Sequence, residues 1–322
     1  MYKTFFGLTR NPFEISPDPY FLFATARHNE ALASIVHGVL RHKGFIVVTG
    51  EVGTGKTLLV RCLLELLRQR NIASANVFNP CLSPLEFLRY IVGDFGIKTA
   101  NQDKGSLLLE LNNYLIARYR KNLTTVLIVD EAQLLEPELL EEIRLLTNLE
   151  TSQQKLLQIV LVGQPELDQK MDSADLRQLK QRTALRCQLE PLQEEETKSY
   201  IIRRFQRAGA NSHATTIFPA ETIASVYRYS RGIPRLINTV CENALIATYA
   251  EKAHAVRPEV IDEVARDLRL NVVSRPPVAA PVVTNGQRAI AKSLLELVEA
   301  LERVARNPDV HERPSDLGVK IV

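Results

Sequence analysis

Residues 50–57 read Gly-Glu-Val-Gly-Thr-Gly-Lys-Thr, and no other stretch narrows the available folds as far. The octapeptide satisfies the phosphate-binding pattern G-x-x-x-x-G-K-[ST] at every constrained position. Gly50, Gly53 and Gly55 let the backbone bend closely around an anion, with successive N–H groups pointing inward. The cradle runs through Glu51, Val52 and Thr54 to Leu58. Within it, Lys56 reaches the β- and γ-phosphates and the Thr57 hydroxyl ligates Mg²⁺. The flanks agree. Gly44–Thr49 is a short apolar, β-branched run suited to a buried strand, and Leu58–Arg68 is apolar at helical spacing. A helix starting there sets its positive end beneath the phosphates. Strand, glycine loop and helix together predict binding of a nucleoside triphosphate.

A second apolar run, Thr125–Val129, leads into Asp130-Glu131. A carboxylate at the C-terminal end of a parallel strand can hold a Mg²⁺ shell, which is the role expected of Asp130. The next carboxylate, Glu131, can orient and deprotonate an attacking water. Leu157–Gly163 is a further buried strand, followed by Gln164. That side chain either contacts the γ-phosphate or lytic water, or simply opens the next loop. Arg177, Lys180, Arg182 and Arg186 crowd the approach to a last strand at 185–189. One of them is expected to reach a neighbouring subunit's phosphates, against the alternative of exposed surface charge. Arg235 opens a later helix and either reaches back to the γ-phosphate or stays on the surface.

Strands at 44–49, 75–79, 125–130, 157–163 and 185–189 alternate with helices at about 26–40, 58–68, 84–93, 105–120 and 136–149, which predicts a parallel sheet covered on both faces. Beyond Pro191 the pattern is purely helical, at about 194–208, 219–230, 233–250 and 257–269. The expected organisation is an aromatic, proline-punctuated arm without regular helix (1–25), an α/β core (26–190) and an all-helical lid (191–270). A linker (271–288), an amphipathic helix (289–306) and a disordered tail (307–322) follow. Ile290, Leu294, Leu297, Leu301 and Val304 carry an a/d spacing that fits a partner helix, self-association or docking on the lid.

Among 322 residues the formal net charge is +3, too small to imply nucleic acid without a local basic patch. Apolar runs of about four to six residues predict no membrane span, and the N-terminus lacks a signal-peptide core. The four cysteines form no C-x-x-C pair and are expected as buried small hydrophobes in a reducing, cytoplasmic compartment.

With these residues in place, the chain resembles an AAA+ ATPase. More narrowly, it is similar to the general secretion pathway protein A (ExeA-like) family. The stretches that carry the resemblance are MYKTFFGLTRNPFEISPDPYFLF, GFIVVTGEVGTGKT, LIVDEAQLL, LEEIRLLTNLET, LQIVLVGQPEL, LRQLKQR and GIPRLIN, spread over residues 1–270. The resemblance implies a P-loop NTPase with a five-stranded parallel sheet between helices, a helical lid, and ATP sites shared between neighbours in a ring or filament. It places Lys56 and Thr57 in Walker A, Asp130 and Glu131 in Walker B, Gln164 at sensor 1 and Arg235 at sensor 2. Arg182 matches the arginine-finger position, with Arg186 in reserve. At sensor 1, Gln stands where Asn, Ser or Thr is commoner.

Family members continue into a membrane span and a peptidoglycan-binding domain; neither is read in this chain. It is therefore expected to act in the cytoplasm or at the inner face of the membrane. The expected function is an ATP- and Mg²⁺-dependent motor for protein components of an envelope secretion or polysaccharide-export system. The alternative is a DNA-associated ATPase of the transposition or replication-initiation type, for which Arg203, Arg204 and Arg207 supply a small basic cluster. A third reading is a nucleotide-gated scaffold that hardly hydrolyses ATP.

Overall fold

A computed structural model describes residues 2–14, 19–21, 23, 25–173, 176–210 and 214–270. The expected linker, amphipathic helix and tail lie outside the described residues. Five strands, β1 (Phe45–Gly50), β2 (Ala73–Val77), β3 (Thr125–Val129), β4 (Gln158–Gly163) and β5 (Thr183–Leu189), form one sheet in the order β2-β3-β4-β1-β5. Every pairing is parallel. Strand β4 therefore separates β1 from β3, and the strand ends carrying Gly50, Asp130 and Gln164 share one edge.

Alternation along the strands builds two cores. Phe45, Val47, Leu127, Val129, Ile159 and Leu161 meet α4 (Pro84–Asp94), α5 (Lys104–Tyr119), α6 (Pro137–Leu146) and α7 (Pro165–Met171). Ile46, Val48, Val126, Ile128, Val160 and Val162 meet α2 (Ala26–Leu40) and α3 (Lys56–Gln69). Central strands buried on both faces explain their unbroken apolar runs. Short α8 (Arg177–Arg182) leads into β5.

The chain then becomes helical: α9 (Glu194–Arg207), α10 (Ala214–Ile217), α11 (Ala220–Ser230), α12 (Pro234–Ala250) and α13 (Pro258–Asp267). These helices share a third core with the first residues of the chain, including Phe6, Leu8, Phe13 and Phe21.

That arm departs from expectation. Prolines argued against regular helix, yet residues 2–5 form α1 and Pro19–Phe21 a 3₁₀ turn. Tertiary anchoring explains α1: the Tyr2 hydroxyl donates to both carboxylate oxygens of Glu242 on α12, at 2.9 and 2.8 Å. β2 begins two residues before the expected strand and ends at Val77, because Ala73 and Ser74 pair with Thr125 and Val126. The sequence pattern predicts no helix where α7, α8 and α10 form. α7 starts with proline in its first turn, followed by Glu166 and Asp168, a start signal that was present. Of the four cysteines expected to be buried, Cys241 is; Cys62 and Cys187 are half-buried and Cys81 is exposed.

Gly232, between α11 and α12, packs against the segment that leads from β5 into α9. It has φ +73°, and a Cβ there would lie 1.8 Å from the Leu192 carbonyl oxygen. The two residues are also bonded, Leu192 N donating to Gly232 O at 2.9 Å. Gly232→Ala is expected to destabilise the protein by at least about 2 kcal/mol, combining left-handed strain with the clash. An unchanged denaturation midpoint would rule this junction out as a rigid one.

Candidate nucleotide site

β1 ends at Gly50, and the chain turns through Gly53 (φ +83°) and Gly55 (φ +102°) into α3. Gly55 caps α3 without a side-chain hydrogen bond, so the first N–H groups are not claimed by a capping side chain. The Thr54 hydroxyl donates to Glu51 O at 2.8 Å and steadies the bend. Lys56 Nζ folds back under the loop, donating to Gly50 O at 2.8 Å and Glu51 O at 3.0 Å. Lys56 is buried. That burial lowers its pKa, while the nearby Glu131 and Asp130 carboxylates push it back up. The Glu131 and Asp130 carboxylates thus act on Lys56 through their charge, while its ammonium is bonded to the loop carbonyls.

Asp130 is buried just past β3. Burial raises its pKa; hydrogen bonds from the Glu131 N–H and the Thr57 hydroxyl oppose the shift. A hydroxyl and a buried carboxylate are hard oxygen donors suited to Mg²⁺, which keeps several waters and takes few protein ligands. Among the described residues no group of three or more His, Cys, Asp or Glu is placed to hold a metal ion by itself. The donor set fits Mg²⁺ bound jointly with phosphates.

Glu131 stands in the left-handed region at φ 51°, ψ 36°, unusual for a residue with a side chain. Its Oε2 accepts from Gln133 Nε2 at 2.6 Å and from Gln164 Nε2 at 3.4 Å. Gln133 Oε1 accepts from Gln164 N at 3.0 Å. Gln133 therefore ties the end of β4 to the carboxylate. Sequence reasoning passed over it; the only signal was a polar side chain two places after the acidic pair.

Arg235 lies at the start of α12, where its N–H donates to Gly53 O at 3.3 Å. A Cβ on Gly53 would fall 2.7 Å from Arg235 Cβ, so α12 rests on the phosphate loop while the Arg235 side chain is exposed. Arg182 is not in this cluster. It hydrogen-bonds Arg144 O at 3.4 Å and the Thr147 hydroxyl, at the C-terminal end of α6. Arg186 pairs with Asp168 at 3.2 Å. The basic trio on α9 is not an open patch either: Arg204 is buried, and Arg207 donates to Tyr20 O in the arm.

Beside the loop lies a largely apolar pocket whose walls include Phe21, Phe23, His28, Leu58, Leu59 and Arg204. His28 lies with Nδ1 2.8 Å from the Thr25 hydroxyl and Nε2 3.2 Å from Thr54 O. Burial lowers its pKa, favouring the neutral ring. A carbonyl can only accept, so Nε2 carries the proton.

A parallel sheet with a glycine loop after β1, an acidic pair after β3 and β4 between them defines a P-loop fold of the AAA type. The model of the AAA domain matches residues 39–171. The chain is 43% identical over 257 residues to general secretion pathway protein A of Aeromonas hydrophila, covering 80% of this chain and 46% of that one. It belongs to the general secretion pathway protein A family of AAA proteins, and spans about half the length of that curated relative. Among solved structures, Drosophila ORC bound to DNA aligns with a TM-score of 0.61 at 19% identity, over 83% of this chain and 66% of that one. Cdc6p from Pyrobaculum aerophilum gives 0.58 at 14%, over 95% and 88%. At such identity these likenesses speak for the fold alone. No helix among the described residues is long and apolar enough to cross a membrane.

Proposed function

We propose that the chain is a Mg²⁺-dependent ATPase that works as an assembly or regulatory motor for an envelope secretion or polysaccharide-export system. The observation that carries the reading is the glycine loop with Lys56 folded against its carbonyls, and, past the neighbouring strand, the Glu131 carboxylate held by two glutamine amides.

In this reading the loop N–H groups and α3 bind the triphosphate, and Lys56 exchanges its carbonyl partners for β- and γ-oxygens. Thr57 and Asp130 hold Mg²⁺, which supplies positive charge to the phosphate oxygens. Glu131 accepts the proton of the attacking water, and Gln164 lies one hydrogen bond away to sense the γ-phosphate. The apolar pocket takes the base. Arg235, at the contact of α12 with the loop, reports the nucleotide state to the helical part. Arg182 acts on a neighbour's phosphate, so sites are shared within a ring or filament.

The relative's name supports secretion as the setting; action in the cytoplasm or at the inner face of the membrane is part of the proposal. With Arg204 buried and Arg207 bonded to the arm, these two arginines of α9 do not support the DNA-associated reading. ATP turnover per subunit, measured against protein concentration with mass by light scattering, tests the motor. Turnover is expected to rise as assemblies form; flat turnover from a monomer would refute shared sites.

A further inference from the structure

The phosphate loop and the acidic pair occupy one edge of the sheet, and the opposite edge is basic. Helices α2, α3 and α5 run to it and turn into β1, β2 and β3 through one repeated device. In each turn a backbone N–H reaches back into the helix: Lys43 N to Gly38 O, Ile72 N to Leu67 O and Leu123 N to Arg118 O, all at 3.0 Å. The residue before that N–H is left-handed: His42 (φ 51°), Asn71 (φ 57°) and Asn122 (φ 54°). Immediately ahead of these stand Arg41, Arg70 and Lys121, all exposed, with Lys43 and Arg120 exposed beside them. Leu40, next to Arg41, is 40% exposed.

The three turns stand level and adjacent. Ala73 pairs with Thr125, Val126 with Gln158, and Ile159 with Phe45, so the strand starts agree within one residue. Arg118 Nη2 donates to Asn71 O at 3.4 Å, tying the α5 turn to the α3 turn. Gln158 Oε1 accepts from Gly44 N at 2.8 Å, tying the α2 turn to β4. Helices α2 and α3 cover one face of the sheet and α5 the other, so the cations spread to both sides of the edge. Carboxylates on the segments that lead into the strands are already matched: Glu65 by Arg68 at 3.1 Å, Glu150 by Lys155, and Asp172 by Lys180 at 2.7 Å. Arg41, Lys43, Arg70, Arg120 and Lys121 have no carboxylate partner among the described residues. A helix C-terminus favours a cation, which accounts for one per turn; Lys43 and Arg120 exceed that.

We propose that this edge docks the protein on an anionic lipid surface, with the nucleotide site turned away from it. A level patch spread over both sides of the sheet meets a plane of headgroups with all five cations together, whereas a cylindrical duplex touches only part of it. The strands hold the phosphate loop about 20 Å away, so docking leaves the loop open. The proposal rests on the reading of action at the inner face of the membrane, and it names the surface that makes the contact.

The test is co-sedimentation of the full chain with vesicles of phosphatidylcholine, alone or with about one-third phosphatidylglycerol. The unmodified protein is expected on the anionic vesicles only, and to leave them at ~1 M salt, where the screening length is about 3 Å. Each Lys or Arg at an anionic surface strengthens binding about fivefold. The triple variant Arg41→Gln, Arg70→Gln, Lys121→Gln should therefore bind at least about tenfold more weakly, with ATP affinity unchanged as the check on its fold. Should it fold poorly, Lys43→Gln with Arg120→Gln, which spares the residues ahead of the left-handed ones, should weaken binding by about tenfold. Removing the same charge from the helical part, in Lys198→Gln, Lys252→Gln, Arg257→Gln, should change binding by less than about threefold. An equal loss in that control, or equal binding to neutral vesicles, would overturn the proposal. Anionic binding that ignores the edge variants would keep the membrane setting and remove this edge. No binding to either vesicle would remove both, while ATP turnover tests the ATPase separately. Duplex DNA held by the unmodified protein and lost by the triple variant, with vesicles unbound, would assign the edge to nucleic acid and overturn the proposal.

Discussion

Glu131→Gln is expected to keep ATP affinity within about threefold of wild type while lowering turnover by about 10²–10⁴, the usual contribution of a positioned base. The substitution conserves shape, so the left-handed turn at Glu131 and the contacts of Gln133 and Gln164 have no steric reason to change. What disappears is the ability to accept a proton from water. Binding should survive because Lys56 and the loop amides are untouched, and one carboxylate fewer near a triphosphate reduces repulsion. Single-turnover hydrolysis beside calorimetric affinity separates the two effects. Unchanged hydrolysis would remove Glu131 as the base. Parallel loss of binding and hydrolysis would instead assign it to holding the fold of the site.

Arg182→Ala is expected to cost about 10³–10⁵ in turnover if the arginine stabilises charge on a neighbour's phosphoryl group. In the isolated chain Arg182 is bonded to Arg144 O and Thr147, so truncation also weakens the end of α6, by about 1–3 kcal/mol. Trans-complementation tells these apart. An Arg182→Ala subunit retains its phosphate loop, and a Lys56→Ala subunit retains its arginine. Mixed assemblies should regain a measurable fraction of activity if the arginine works across an interface. A purely structural Arg182 would give no such recovery. Loss confined to Arg186→Ala would move the role to Arg186, whose exposed pair with Asp168 is easily given up.

The parts of this site that were legible in the sequence are those whose chemistry is local. Gly50–Thr57 specifies bend, anion cradle and helix start within eight consecutive residues, and Asp130-Glu131 follows its strand directly. Gln164 was legible as a strand-end polar group, but its bond to Glu131 depends on β4 lying beside β3. Gln133 was missed because its value lies in bridging two strand ends, and no spacing rule marks such a bridge. The arm was misjudged for a related reason: its helix, residues 2–5, lies ahead of Pro12, Pro17 and Pro19, and the bond of Tyr2 to Glu242 that anchors it spans the length of the chain.

Arg203, Arg204 and Arg207 show the same limit from the other side. Along the chain they look like a solvated basic cluster, whereas the fold buries Arg204 among rings and turns Arg207 to the Tyr20 carbonyl. The apolar pocket beside the loop is the extreme case, since Phe21, His28, Leu59, Leu192, Arg204 and Pro234 come from well-separated stretches of the chain. Periodicity and glycine placement act over one turn or one strand, so the chain's order of residues was enough for the strands, the principal helices and the phosphate loop. Which strand ends become neighbours, and which arginines face inward, follows from the strand order β2-β3-β4-β1-β5 and from the packing of the arm on the helices. Those long-range contacts become favourable only when whole surfaces are buried together.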